Sequence, residues 1–302
     1  MVFTIPEELA RIAFYNKEVV YGILFRAAAE TLLTIARDPK HLGAEIGFFG
    51  VLHTWGQNLQ HHPHVHCVVP GGGLSPDHER WIPCPPGFFL SIHVLSRLFR
   101  RLFLDALEDA FYTGKLRFFS ETEFLQDAIA FAECLLSHEC REWVVYAKPS
   151  FGGPQQALEY LSRYTHRVAI SNDRLLAVNK GEVTFQWKDY RAKHKQKSRV
   201  MTLASDEFIR RFLIHTLPPR FQRIRHFGFL ANRHRKEKLA LCRKLLTGPV
   251  TELLPGAVQC LVLLAALTIL PPERCPKCKT GVMVRIGFVP AYRWPARPPD
   301  TS

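Results

Sequence analysis

The sequence lacks several features that mark common classes of protein. It has no phosphate-binding glycine loop ending in Lys-Ser or Lys-Thr, so we expect no nucleotide cofactor. Its longest apolar run, Cys260 to Leu270, is too short to cross a bilayer and ends at Pro271-Pro272. Glu7 and Glu8 interrupt the short apolar start, so we expect no signal peptide. These absences favour a soluble, cytoplasmic protein that has no membrane partner.

The eight cysteines are scattered along the chain and do not form a disulfide framework. Cys275 and Cys278 alone have the close spacing of a metal-binding pair. A structural zinc takes four ligands, and no second pair follows in the remaining tail. Cys275 and Cys278 are therefore candidate zinc ligands, but we expect no zinc to be bound there.

The positive charge is concentrated in one segment. The net charge is +13, and residues Lys180 to Lys244 contain 18 Lys and Arg against 5 Asp and Glu, whereas the rest of the chain has 22 of each sign. Lys and Arg beside phosphates release condensed counterions, so a surplus of this size in one segment indicates a polyanionic partner. A solvated basic face without function is the plainer alternative.

Hydrophobic periodicity predicts a mixture of strands and helices. Strands are predicted at residues 2–5, 46–54, 65–69, 80–82, 142–148, 175–178, 182–188 and 198–203, and helices at 17–37, 94–112, 121–136, 155–164 and 205–217. The strands at 46–54 and 65–69 flank ten residues that include Pro63, so we expect a β-hairpin with a wide loop.

Histidines are dense in this hairpin, with five of them between His53 and His66. His64 and His66 flank Val65, so on a strand both imidazoles project from one face, where they can chelate a cation. If the hairpin pairs residue 53 with residue 64 or 66, His53 reaches the same face as a third ligand. Gln57 and His62 compete for that third position. The plainer interpretation is a set of core or surface histidines.

A second motif is Tyr160-Leu161-Ser162-Arg163-Tyr164 in a predicted helix. Tyr160 and Tyr164 are four residues apart, so both phenols lie on one helix face. Such pairs are more often packing aromatics, and they indicate a catalytic role only in combination with the histidines.

A bound divalent cation, Mg²⁺ or Mn²⁺, can polarise a phosphodiester that a tyrosine hydroxyl then attacks, giving a covalent phosphotyrosine. Two tyrosines allow two such steps.

Several stretches together resemble one family of enzymes. They are Leu52-His53-Thr54-Trp55-Gly56, His62-Pro63-His64-Val65-His66 with Pro70-Gly71-Gly72-Gly73, Tyr160 to Arg167 with Ala169-Ile170-Ser171-Asn172, Trp187-Lys188-Asp189-Tyr190-Arg191 and Ile224-Arg225-His226-Phe227-Gly228. In this order they are similar to the two-tyrosine transposases of rolling-circle insertion sequences, family ninety-one. The similarity runs from about residue 2 to residue 245.

The resemblance implies an α+β fold, the HUH endonuclease domain, in which a ferredoxin-like antiparallel sheet supports the histidines and a packed helix carries the tyrosines. It implies cleavage and transfer of single-stranded DNA at the ends of a mobile element and at its target. Tyr160 and Tyr164 match the family's tyrosine pair, and His64 and His66 match its histidine pair.

The expected DNA contacts come from basic and aromatic side chains, since single-strand binders combine cations with stacking platforms. We expect them at Arg163, Arg167, Trp187, Lys188, Tyr190, Arg191, Lys193, Lys195, Lys197, Arg199, Arg225 and His226. Phe221 and Phe227 are further aromatics in the basic segment, and about half of its aromatics are expected in the core. We divide the chain into a nuclease core at 1–178, a basic DNA-binding extension at 179–248 and a short tail at 249–302.

Two departures from the family qualify this interpretation. Its members usually carry an upstream cysteine-rich zinc domain, and Val2-Phe3-Thr4-Ile5 resembles the strand that follows it, so we expect this chain to lack that domain. The part after Pro249 is also short. Two alternatives therefore stay open: a catalytically inactive, truncated DNA-binding remnant, and a plasmid-type replication initiator or relaxase, which nicks DNA without integrating it.

Overall fold

The fold is α+β, as the sequence predicted. A computed structural model describes residues 1–85, 90–148, 169–189 and 198–247. The strands in these ranges are β1 (Val2–Thr4), β2 (Gly47–Trp55), β3 (His61–Val68), β4 (Gly72–Leu74), β5 (Trp81–Pro83), β6 (Val145–Tyr146), β7 (Leu175–Asn179), β8 (Glu182–Lys188), β9 (Ser198–Ala204) and β10 (Ile224–Gly228). The helices are α1 (Glu7–Tyr15), α2 (Lys17–Arg37), α3 (Ile92–Tyr112), α4 (Ala128–Glu139), α5 (Ser205–Leu213) and α6 (Arg235–Thr247), and Ser120–Gln126 and Asn172–Arg174 are 3₁₀ helices.

The main sheet has five strands in the order β10-β2-β3-β1-β6, and every neighbouring pair is antiparallel. Helices α1 and α2 connect β1 to β2, and α3 and α4 connect β3 to β6. This is the βαββαβ order of a ferredoxin-like sheet, with β10 added at the β2 edge. The histidine-rich strand β3 is consequently the central strand.

The hydrophobic core lies between one face of this sheet and helices α2 and α3. Phe3 and Val65 face each other across β1 and β3 and are fully buried, and Phe3 packs edge-on against Phe99 of α3 at 5.0 Å between ring centroids. Helix α2 is long and apolar enough by composition to cross a membrane, but 67% of its most apolar window is buried inside the protein. Its apolar length is therefore used for packing in this core.

A smaller sheet of three strands, in the order β7-β8-β9, packs with α5 around a second cluster of buried residues. Leu59, at the tip of the β2–β3 hairpin, is fully buried in that cluster beside Phe185. The hairpin tip is also held from outside, because Arg174 donates to the carbonyl oxygen of Gln57 and Arg211 donates to that of Asn58. The smaller sheet therefore fixes the end of the histidine hairpin.

The hairpin itself differs from the expectation of a wide loop, because β3 begins at His61 and only residues 56–60 connect the strands. The register shifts between the pairs His53↔His64 and Trp55↔His61, so two residues of β3, His62 and Pro63, oppose one residue of β2. This is a β-bulge, where proline is tolerated because no ladder hydrogen bond is required from it. Pro63 marks the bulge, and the strand continues through it.

Several other elements were missed or displaced in the sequence prediction. Helix α1, strand β10 and helix α6 were not predicted, and strand β6 is shorter than the predicted strand at 142–148. The predicted helix at 121–136 is divided into a 3₁₀ helix and α4, because the Asp127 side chain accepts hydrogen bonds from the amides of Ile129 and Ala130 and caps α4. Glu7 and Glu8 were a signal for α1, because acidic side chains are favourable in the first turn of a helix, near its positive end.

The chain divides into two compact units, Met1–Leu246 and Thr247–Ser302. The predicted helix at 155–164 lies outside the described residues, and so do Cys275, Cys278 and the predicted tail at 249–302. The predicted domain boundaries at 178 and 248 stay predictions.

Candidate metal centre and nucleic-acid groove

Three histidines converge on the open face of the main sheet, opposite the helices. The hairpin pairs His53 of β2 with His64 of β3, which is one of the two registers in which the sequence placed His53 on the same face as His64 and His66. The potential ligand nitrogens of the three rings lie within 4.8 Å of one another. Three imidazoles this close can share one metal ion.

The electrostatics of the site keep the imidazoles of His64 and His66 neutral. His53 and His66 are only 6% and 7% exposed. Burial, followed by the nearby His53 ring, lowers the pKa of His64 to about 3. Burial and the neighbouring His64 and His53 also lower the pKa of His66 well below its usual value. A neutral imidazole has a lone pair available for a cation near neutral pH, as a metal ligand must.

The tautomer of His64 is fixed by the backbone. The carbonyl oxygen of His62 lies 2.6 Å from Nδ1 of His64 and can only accept, so Nδ1 carries the proton. The lone pair of His64 is then on Nε2, which is left to bind a cation. His62 contributes this carbonyl and does not belong to the converging group, so among the described histidines His53 is the candidate third ligand. Gln57 stays a competitor, and it lines the same face of the site.

The histidines lie at the floor of a groove of about 1580 Å³. This is larger than the usual pocket for a small molecule, so the groove has room for part of a polymer. Its walls come from α1, from the hairpin loop, from β6, from the end of β8 and from α5. The basic side chains among the described lining residues are Arg11, Lys148, Lys188, Arg210 and Arg211, and the acidic ones are Glu7, Glu121 and Asp189.

The predicted DNA-binding residues are distributed unevenly around this groove. Trp187 and Lys188 line it. Arg199 is exposed nearby on β9 and forms an ion pair with Asp189 at 3.3 Å. Tyr160, Arg163, Tyr164, Arg167, Tyr190, Arg191, Lys193, Lys195 and Lys197 lie outside the described residues.

Arg225 and His226, the last two predicted DNA contacts, lie on opposite faces of the main sheet because of the register of β10. His226 pairs with Phe49 and lies on the open face with the three histidines. Arg225 pairs with Gly50 and lies on the other face of the sheet, which packs against the helices. The guanidinium of Arg225 lies over the ring of Phe25 at 4.4 Å. Arg225 therefore packs against α2, and a DNA contact by this residue stays a prediction. Phe227 likewise packs against the core, stacked on Phe48 at 5.2 Å.

Two features of the site were missed in the sequence. The first is Trp55, whose ring stacks on His53 with 4.8 Å between centroids and 15° between planes. The signal was its position two residues after His53 on a strand, which places both rings on one face. The guanidinium of Arg223 lies 5.0 Å from the Trp55 ring and donates to the carbonyl oxygen of Leu52.

The second missed feature is a polar cluster at the loop end of the hairpin. His215 donates through Nε2 to the carbonyl oxygen of Leu59 at 3.1 Å, and its Nδ1 lies 3.2 Å from the Thr54 hydroxyl. His61 hydrogen-bonds the hydroxyl of Tyr21 at 2.7 Å. Burial is the main cause that lowers the pKa of His61 to about 3 and that of His215 to about 4. These two neutral histidines brace the ends of the hairpin loop.

Comparison with known proteins identifies the family. The model of a family described as "Putative transposase" matches residues 47–238, which include the hairpin and the basic segment. The chain is 56% identical over 304 residues to "Putative transposase y4qJ" of Sinorhizobium fredii (strain NBRC 101917 / NGR234), covering all of this chain and 76% of that protein.

It is also 29% identical over 237 residues to "Transposase for insertion sequence element IS801" of Pseudomonas savastanoi pv. phaseolicola. That match covers 77% of this chain and 54% of the relative, so the chain spans about half the length of this relative. No solved structure matches the chain significantly. On the strength of the family match and the 56% identity, this chain belongs to the transposase family that the model describes.

Proposed function

We propose that this chain cleaves single-stranded DNA through a phosphotyrosine intermediate and transfers the strand in rolling-circle transposition. The observation that carries the proposal is the convergence of His53, His64 and His66 on the central strands of the open sheet face. A ligand set of three imidazoles suits a transition metal such as Mn²⁺ better than Mg²⁺, which prefers oxygen ligands. Membership of a transposase family supports DNA as the substrate.

The histidines supply the site for the cation, and the cation would supply polarisation of a phosphodiester and neutralisation of its developing charge. His64 is already prepared for this role, because the His62 carbonyl fixes its tautomer. Trp55 holds the ring of His53 by stacking. The protein therefore positions its ligands before a cation arrives, which is what a precise phosphodiester geometry requires.

The nucleophiles in this proposal are Tyr160 and Tyr164. The phenol oxygen of one tyrosine forms a bond to phosphorus, while the bond between phosphorus and a deoxyribose oxygen breaks. The phenol proton ends on the released oxygen, which becomes a free hydroxyl, and the phosphodiester energy is kept in the protein–DNA link. A strand-end hydroxyl can then attack the phosphotyrosine and reverse the exchange at a new site, so no nucleotide cofactor is required.

The experiment is a covalent-adduct assay with labelled single-stranded DNA and Mn²⁺. Wild type should give an adduct that survives denaturation, Tyr160→Phe or Tyr164→Phe should give less, and the double variant should give none. Each Tyr→Phe change removes one oxygen and keeps the ring, so folding should be retained. Tyr112→Phe is a matched control, because Tyr112 is 68% exposed at the end of α3.

Two outcomes would contradict the proposal in different ways. An adduct formed by the folded double variant would show that the nucleophile is another residue. Failure of wild type to form an adduct with any element-end DNA would favour the inactive DNA-binding remnant.

A further inference from the structure

The surplus of positive charge lies in residues 180–244, yet one wall of the groove is built by α1 and β6, which lie outside this segment. In α1, the residues that line the groove are Glu7, Ala10, Arg11 and Phe14, which recur at the spacing of a single helix face. In β6 and just after it, Tyr146 and Lys148 line the groove and alternate with residues that do not.

We propose that this wall, formed by α1 and β6, binds the single strand beside the histidines, with a base stacked on Tyr146 and a phosphate held by Arg11. The inference rests on the proposed function, because it assigns contacts to the same DNA. It adds two binding residues that lie outside the basic segment and outside the metal site.

Tyr146 has the position and the exposure that a stacking platform requires. Val2 of β1 is paired with His66 on one side and with Tyr146 on the other, so the three residues lie in one row across the open face. Two strand spacings separate the backbones of Tyr146 and His66 by about 10 Å. The side chain is 57% exposed, and Val144, on the same face, is 65% exposed. A phenol ring left open beside a polymer-sized groove can stack on a base.

Arg11 provides the phosphate contact on the same wall. It is exposed on α1, and no described carboxylate lies within ion-pairing distance of its guanidinium. By contrast, Arg210 and Arg211, on α5, are both engaged by Glu207 at 2.6 Å. An unengaged guanidinium loses no ion pair when it binds a phosphate, so Arg11 is the better suited of these arginines.

A second aromatic ring and cation, Trp187 and Lys188, line the groove from the end of β8, where Trp187 is half-buried against the second core cluster. The groove thus has an aromatic ring beside a cation in two places. This pairing is typical of proteins that bind single-stranded nucleic acid without reading its sequence, since every base has a face to stack and every phosphate has a charge.

The test measures binding of the full chain to labelled single-stranded oligonucleotides of several sequences across a range of salt concentrations. Tyr146→Leu should weaken binding by roughly 10-fold or more, and Tyr146→Phe should restore it, because the ring is retained. Arg11→Gln should make the slope of log K against log salt shallower by about 0.7, equally for every sequence. Tyr112→Leu and Arg101→Gln are matched controls on α3, where Tyr112 is an exposed ring and Arg101 an exposed cation outside the groove.

The inference is overturned if Tyr146→Leu and Arg11→Gln bind as their α3 controls do while wild type still binds single-stranded DNA. It is also overturned for Tyr146 if the Phe variant loses as much affinity as the Leu variant, because the phenol oxygen would then matter rather than the ring. If wild type itself does not bind single-stranded DNA, the proposed function fails as well, and the two failures are therefore distinguishable.

Discussion

The indole of Trp55 lies parallel to the imidazole of His53, with 4.8 Å between the ring centroids. His53 is the converging histidine that comes from β2, so this contact joins the third candidate ligand to a rigid aromatic neighbour. Arg223, in the loop before β10, places its guanidinium carbon 5.0 Å from the centroid of the same indole. The position of His53 is therefore set by packing as well as by the register of the hairpin.

Replacement of Trp55 by Leu should weaken Mn²⁺ binding by roughly 10-fold. This is the lower end of the loss in metal affinity that follows removal of a residue that orients a metal ligand. Trp55→Phe should retain most of the affinity, because a ring remains to stack on His53. Calorimetric titration with Mn²⁺ measures both. In a His53→Ala background, Trp55→Leu should have no further effect, and a full additional loss there would assign Trp55 a different role.

The chain should bind one divalent cation, and Mn²⁺ should bind more tightly than Mg²⁺, because the candidate ligands are imidazole nitrogens. The His64→Ala, His66→Ala double variant should lose this binding. His41→Ala is a suitable control, because His41 is an exposed histidine that follows α2 and does not belong to the converging group. Equal Mn²⁺ affinity in wild type and the double variant would disprove the site.

The basic segment should supply much of the salt dependence of DNA binding. If it neutralises about five phosphates of a single strand, log K should fall with log salt at a slope of roughly −3.5. The slope should become shallower by about 0.7 for each contact that is lost when four cations are neutralised together, namely Lys193, Lys195, Lys197 and Arg199. The same number of changes at Arg37, Arg97, Arg100 and Arg101, which lie on α2 and α3, should leave it unchanged. A slope that responds equally to both sets would show a general charge effect.

Gly228 should be a sensitive position for folding. Its φ is +58°, and a Cβ added there would lie 1.9 Å from the carbonyl oxygen of Ile46, so alanine meets both backbone strain and a clash. Gly228→Ala should lower the free energy of unfolding by about 3 kcal/mol or more. Gly181→Ala isolates the strain, since its φ is +82° with no neighbouring atom within 4 Å, and it should cost only about 1–2 kcal/mol. Denaturant unfolding checks both, and equal losses would contradict the clash.

The sequence by itself determined the α+β class, most of the strands and the pairing of His64 with His66 on one face. These properties are local, because the alternation of His64, Val65 and His66 along a strand fixes which way each side chain points. The length of α2 was predictable for the same reason, since its apolar residues recur at helical spacing and Asp38-Pro39 follows it. The positions of the charged residues in the sequence also located the charge surplus in one segment.

Only the tertiary structure decided the rest of the site. The choice of His53 as the third converging ligand depends on the register across two strands, and the bulge at Pro63 shifts that register by one residue. The contacts of Trp55 with Arg223 and of His215 with Thr54 join residues far apart in the chain, and no local pattern encodes such distances. Alternation along β10 places Arg225 and His226 on opposite faces, but the pairing of β10 with β2 decides which face each of them takes. Local spacing orients side chains, whereas long-range pairing decides which of them meet.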